Sequence, residues 1–259
     1  MNQKIKNRFL LAFCIALVFA ACNQSDKKEE APKTGDSTGT AKTETSPPAA
    51  VPDAVKAAPN FYKVLADSMG IRILEVTYNP GDSSAWHSHP DYAIYTAEGG
   101  NATFYGKDGA KMDVVMKTGA VSIHPAEFHS VKNTGKTPLK VILFEVSRPG
   151  GAVAQDATMD ATKVAGAGLY TTLADTLGIR VLQIDYKPGQ ASKMHSHPDV
   201  ALYVTDDGKA EFTSKDGKKM VVEMKKGMAM IGPAETHSVK NVGTTTMKAI
   251  LVEVARPAK

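Results

Sequence analysis

The feature that most constrains this chain is a passage of ninety residues that occurs twice. Residues 60–149 align with 168–257 at a constant offset of 108, without a gap, and more than half of the aligned positions are identical. Ala66-Asp67 recurs as Ala174-Asp175, Gly70-Ile71-Arg72 as Gly178-Ile179-Arg180, and His87-Ser88-His89-Pro90-Asp91 as His195-Ser196-His197-Pro198-Asp199. A unit of this length is too long for a solenoid repeat and long enough to bury a small core of its own. Two like domains are therefore expected, 60–149 and 168–259, joined by the Gly- and Ala-rich segment 150–167.

Within each copy the periodicity is that of strands. Ile71 to Tyr78 alternates and Leu139 to Val146 is a β-rich run, the patterns of strands. Asp108-Gly109, Asp216-Gly217 and Gly99-Gly100 are hairpin signals, and Asn79-Pro80-Gly81 and Lys187-Pro188-Gly189 close further turns. No stretch of either copy carries the period of a long amphipathic helix. Short strands at close spacing in so few residues predict an all-β fold, two small antiparallel barrels or jelly rolls.

Ahead of the repeats stands an export-type segment. Lys4, Lys6 and Arg8 precede an apolar run from Phe9 to Ala21, the layout of a signal peptide and too short to span a bilayer comfortably. Phe19-Ala20-Ala21-Cys22 resembles the lipobox of bacterial lipoproteins, with Phe19 in place of the usual Leu. The resemblance implies cleavage before Cys22 and its acylation, with residues 1–21 discarded and stable anchoring by two or three acyl chains. The expected location is the cell envelope, held by lipid to the outer membrane or facing the periplasm. Residues 22–59 are rich in Lys, Glu, Thr, Ser, Pro and Ala with no aromatic before Phe61, a composition that cannot order itself. They are expected to form a tether reaching about 35 Å.

Charge and cysteine usage narrow the function. Of 31 basic residues three fall within 1–21, leaving 28 against 27 acidic ones; a net charge near +1 gives no footprint for nucleic acid. The two cysteines are Cys14 and Cys22, so after cleavage no thiol remains for catalysis and no disulfide can form.

Six of the seven histidines sit at equivalent places: His87, His89 and His129, then His195, His197 and His237. Residues two apart on a strand share a face, so each His-x-His pair can aim into a barrel, and the third histidine, forty residues on, must come from a facing strand. Three converging imidazoles suit a divalent transition ion with open coordination positions.

With these residues in view the sequence resembles the cupins. Their first motif, a Gly, five residues and His-x-His, is matched by Gly81 with His87 and His89, and by Gly189 with His195 and His197. The second, a Gly, five residues, a Pro, then a His and an Asn four further on, is matched by Gly119, Pro125, His129 and Asn133, and by Gly227, Pro233, His237 and Asn241. Both copies are covered, so the chain resembles a bicupin, and within the family the small bacterial cupins with His-x-His-Pro-Asp and Pro-Ala-Glu-x-His. The resemblance implies two jelly-roll barrels, a metal in each (Fe, Mn, Zn or Ni) and a small-molecule ligand in the cavity.

Two departures bear on the site. Most metal-binding cupins carry a Glu four or five residues after the second His; here those positions are Ala93 or Ile94, and Ala201 or Leu202. The second motif is also one residue short. Either three histidines act alone, or Glu127 and Glu235, or Asp91 and Asp199, supply an oxygen from a new position. Glu127 and Glu235 are also the available candidates for a catalytic base. Arg72 and Arg180 share a strand face with apolar residues and need partners, with Glu145 and Glu253 the candidates; an ion pair and a clamp for a ligand carboxylate are both open. Tyr95 and Tyr203 line the cavity or belong to the core, and His124, replaced by Gly232 in the second copy, reads as a surface residue.

Around the histidines the copies differ. Trp86 becomes Met194, Tyr92 becomes Val200 and Phe128 becomes Thr236, which predicts a more aromatic first pocket and a more aliphatic second one, although alternation puts Trp86 on the face opposite His87. Three classes of function are compatible: a metal- and ligand-binding cupin, which a three-His Fe(II) centre would make a dioxygenase or lyase; a non-catalytic binding module of the envelope; and a structural lipoprotein. A homo-oligomer is open.

Overall fold

The computed structural model describes residues 52–107, 109–148 and 158–255. Cys22, the export-type segment and most of both expected linkers lie outside the described residues. A one-turn helix α1 (Ala54–Ala57) leads into strands β1 (Tyr62–Ser68), β2 (Ile71–Tyr78), β3 (His87–His89), β4 (Asp91–Glu98), β5 (Gly100–Gly106), β6 (Lys111–Met116), β7 (Val121–His124), β8 (Glu127–Asn133) and β9 (Leu139–Val146). The second copy repeats this with α2 (Ala161–Val164), β10 (Tyr170–Thr176), β11 (Ile179–Tyr186), β12 (His195–His197), β13 (Asp199–Asp206), β14 (Gly208–Ser214), β15 (Lys219–Met224), β16 (Ala229–Gly232), β17 (Glu235–Asn241) and β18 (Met247–Val254). Among the described residues no helix is long and apolar enough to cross a membrane.

Each copy closes two antiparallel sheets over one core. In the first, β1-β2-β9-β4-β7 faces β3-β8-β5-β6; in the second, β10-β11-β18-β13-β16 faces β12-β17-β14-β15. Two tandem all-β barrels of one topology result. The motif glycines have a backbone reason: Gly81 and Gly119 hold φ +87° and +83°, conformations that a side chain strains. The motif asparagine has one too. Asn133 is fully buried; its amide donates to Tyr78 O at 2.8 Å and Thr137 O at 3.0 Å, and its Oδ1 accepts from Gly135 N at 2.8 Å, so its side chain is fully paired.

The five-stranded sheets are apolar on both faces. On β9, Leu139, Val141 and Leu143 point into the first barrel while Ile142, Phe144 and Val146 point away from it. The outward set meets Ile250, Val252 and Val254 of β18, with Ile71, Ile73, Ile179 and Val181, in a third core between the barrels. Edge strands meet reciprocally, β1 against β16 and β10 against β7. Arg148 fastens this junction, donating to Asp199 Oδ2 at 2.8 Å and to Val254 O at 3.3 Å.

Structure begins earlier than the composition suggests. Asp53 caps α1, accepting from Val55 N at 3.0 Å, and Ser88 N donates to Pro52 O at 3.0 Å, which docks the segment on the His-x-His strand. Ala54 and Ala58 are buried in the barrel core. Asp160, Ala161 and Ala165 do the same in the second copy. Residues 52–59 and 158–167 are thus barrel residues, correcting the expectation of linker up to residues 59 and 167. The cause is a single extra residue: the segments align at an offset of 107, Asp53 with Asp160, not 108.

Candidate metal centres

Pairing of short strands brings the histidines together. β3 and β8 are antiparallel with His87 opposite His129 and His89 opposite Glu127; β12 and β17 set His195 opposite His237. His87 and His89 share the inward face, as a two-residue period requires. One nitrogen from each imidazole lies within 4.8 Å of the others in both triads, and all six residues are buried. Ring centroids stand 4.9, 4.8 and 5.2 Å apart in the first triad and 4.9, 4.8 and 5.3 Å in the second. The two sites are copies in three dimensions as well as in sequence.

Every imidazole is held by its Nδ1. His87 Nδ1 contacts Ala85 O at 2.7 Å, His89 Nδ1 contacts Glu145 Oε1 at 2.6 Å and His129 Nδ1 contacts Glu127 Oε1 at 3.1 Å. In the second barrel the partners are Lys193 O at 2.8 Å, Glu253 Oε1 at 2.7 Å and Glu235 Oε1 at 2.7 Å. All six partners are acceptors, so each Nδ1 donates; on the other nitrogen, His87 and His195 Nε2 meet the hydroxyls of Tyr62 and Tyr170 at 2.8 and 3.0 Å. Such outer partners fix ring tautomer and orientation in metal sites. Burial pulls His87 down to about 4 and His195 down to about 3, so both rings are neutral ligands at neutral pH. His89 Nε2 is buried without a hydrogen-bond partner, an orphan that costs stability and that an ion would satisfy. The donor set fits a divalent transition metal.

The carboxylates act behind the imidazoles. Glu145 is buried and joins His89 to Arg72, whose Nε donates to Glu145 Oε2 at 2.6 Å and whose Nη2 also pairs with Asp53. The second barrel repeats the chain: Asp160 to Arg180 at 2.9 Å, Arg180 Nε to Glu253 at 2.6 Å, and Glu253 to His197. Arg72 and Arg180 therefore sit in ion pairs with carboxylates on two sides, and the clamp for a ligand carboxylate is not what the geometry shows. Glu127 and Glu235 occupy the Nδ1 side of His129 and His237, away from the shared space, so they do not supply the fourth oxygen, and as candidate bases they do not face the cavity. The hydrogen bond from His129, against the opposing effect of burial and with help from Tyr92, holds Glu127 at about 2. Asp91 and Asp199 accept from Ala126 N at 2.7 Å and Ala234 N at 2.9 Å; they close loops and are not ligands.

Of the two readings open for Tyr95 and Tyr203 the core one holds, the outward face expected for Trp86 holds, and the surface reading of His124 is corrected. Tyr95 and Tyr203 lie between the barrels, centroids 6.5 Å apart, because odd positions of β4 and β13 point outward. Trp86 and Phe128 meet in a tilted contact, centroids 5.0 Å apart, outside the barrel, Trp86 41% exposed. His124 is no free surface residue: it stacks on Tyr92 at 5.2 Å and hydrogen-bonds Ser122 Oγ at 2.9 Å.

A small apolar cavity beside the first triad is lined by Tyr62, Tyr78, His89, Tyr92, Phe104 and His129, with aliphatic side chains beyond. Tyr62 and Tyr78 escaped sequence reasoning, as did Asp53. The available signal was that Tyr62 and Tyr78 recur unchanged as Tyr170 and Tyr186.

The family model described as "Cupin domain" matches residues 74–145 and 182–253, more than half of the chain. The chain belongs to the cupin family. It is a tandem cupin whose barrels resemble solved structures at low identity. AerE from Microcystis aeruginosa is 12% identical, with 76% of this chain and 99% of that one covered and a TM-score of 0.53. Oxalate decarboxylase from Bacillus subtilis, reported with Mn(II) centres, is 11% identical over 78% of this chain and 77% of that one, TM-score 0.54. Salicylate 1,2-dioxygenase from Pseudaminobacter salicylatoxidans is 10% identical over 77% and 78%, TM-score 0.53. None of the curated proteins compared matches the chain.

Proposed function

We propose that this tandem cupin binds one divalent transition ion in each barrel through three histidines, takes a small molecule beside the ion, and is held at the cell envelope by a lipid on Cys22. The observation that carries the metal reading is the convergence of three buried imidazoles in each barrel, every Nδ1 fixed to an acceptor, with His89 Nε2 buried and unpartnered. The bound ion would supply Lewis-acid or redox chemistry. The protein residues orient the rings, burial keeps His87 and His195 neutral, and an apolar wall stands beside the first triad. The cavity beside His89 and His129 supports a ligand of few atoms at the first ion.

Metal analysis of the full chain after chelator treatment and reloading tests the reading, with Mn(II) as first probe since the neighbouring oxalate decarboxylase carries Mn(II) centres. Two ions per chain are expected. His87→Ala with His89→Ala, and His195→Ala with His197→Ala, should each remove one of them. Metal content unaffected by either pair would overturn the assignment.

A further inference from the structure

Three imidazoles without a carboxylate leave the ion short of a protein oxygen, and the fold brings one to the place. Tyr62 enters from β1, buried, with its hydroxyl 2.8 Å from His87 Nε2. Tyr170 enters identically from β10, its hydroxyl 3.0 Å from His195 Nε2. Because Nδ1 of each of these histidines is tied to a backbone carbonyl, the phenol oxygen touches the very nitrogen that faces the ion. The other side-chain oxygens around the first triad are engaged elsewhere: Tyr92 donates to Glu127, Tyr78 donates to Tyr62 at 3.1 Å, and Glu127 and Glu145 sit on Nδ1 atoms.

The spacing is that of an ordinary hydrogen bond and also suits two donors on one ion. Two donor atoms bound at right angles to one ion about 2.1 Å away stand about 3 Å apart. The Tyr62–His87 and Tyr170–His195 contacts have that separation without any movement of one donor relative to the other.

We propose that Tyr62 and Tyr170 are the fourth protein ligand of the metal in their barrels, replacing the carboxylate absent at Ala93, Ile94, Ala201 and Leu202. This rests on the metal-binding reading above. When the ion enters, the hydrogen bond to Nε2 is given up, the phenol O–H bond breaks, the oxygen lone pair forms the metal bond and the proton leaves to bulk water; no electron is transferred. Tyr78 and Tyr186, 3.1 and 3.2 Å behind, remain as hydrogen-bond donors to the coordinated oxygen and help to hold its charge.

The experiment loads the full chain with Fe(III) and records the visible phenolate-to-iron charge-transfer band, then measures Zn(II) affinity at each site. Two bound ions with the band are expected. Tyr62→Phe and Tyr170→Phe should each remove about half of the band, the double variant all of it, and Zn(II) should bind the altered site at least about tenfold more weakly. Two bound ions without the band would overturn the tyrosine ligand and leave the histidine site standing. Tighter metal binding in the Phe variants would overturn it too, since a phenol that only competes for Nε2 gives that result. A wild-type chain that takes no ion would overturn both readings. The wild-type spectrum decides even where a variant fails to fold.

Discussion

Replacing Glu145 by Gln removes one negative charge from the middle of a buried chain that runs from Asp53 through Arg72 to His89. The carboxylate now receives His89 Nδ1 at 2.6 Å on one oxygen and Arg72 Nε at 2.6 Å on the other. An amide of the same shape can serve one of these donors, but its NH2 then faces the other. Removing one partner of a buried pair costs about 3–5 kcal/mol. Arg72 retains Asp53 and is 20% exposed at its side chain, so the lower figure applies, about 3 kcal/mol. For a folded unit of this size that lowers Tm by about 6–12 °C. Glu253→Gln should cost more, because Arg180 is only 10% exposed and Glu253 not at all. Each substitution also loosens the ring it orients, so metal affinity should fall about 10–100-fold in the altered barrel and stay unchanged in the other. Thermal unfolding without metal and a two-site metal titration measure both effects. Variants that melt within about 2 °C of the wild type and bind metal equally at both sites would refute the claim that this chain orients the histidine.

Asp53→Ala, at a position that composition assigns to a tether, should cost about 1–2 kcal/mol through loss of the helix cap and of a partly exposed ion pair; a change below about 0.5 kcal/mol in denaturant unfolding would place it outside the barrel. Cys22→Ser should move the protein from the membrane to the soluble fraction, and a variant still membrane-bound in the wild-type amount contradicts the lipid anchor. Tyr92→Val gives the first pocket the wall residue of the second, so its preference within a panel of small carboxylates and phenols, read from the spectrum of the bound ion, should move towards that of the second barrel; an unchanged preference would show that the residue does not select.

The fold and the triads were legible because they depend on spacings along the chain. A period of two sets His87 and His89 on one face, glycines at positive φ mark the turns, and the duplication repeats each signal. Glu145 could be paired with Arg72 on strand phase alone. What escaped depends on contacts across the barrel. Strand phase does not say which of two buried faces meets the cavity, so Tyr95 looked as eligible as Tyr92, although one points between the barrels and the other at His89. Glu127 was open as an oxygen ligand because the usual carboxylate is missing, yet a hydrogen bond to His129 Nδ1 turns it behind the ring. Asp53 was hidden by the offset change from 108 to 107, and Tyr62 because its partner, His87, is on the opposite sheet.

The reciprocal meeting of β1 with β16 and β10 with β7 around a shared apolar core is the arrangement of an isologous twofold dimer, written here into one polypeptide. In a dimer of identical subunits every change in the gene appears at both centres, so a new pocket can be gained only by giving up the old one. Covalent fusion lifts that restriction while keeping the partners at fixed stoichiometry. The two halves accordingly differ beside the triads, with Tyr92 and His124 in one where Val200 and Gly232 stand in the other. The interface thus lets the surroundings of two identical histidine triads diverge within one chain.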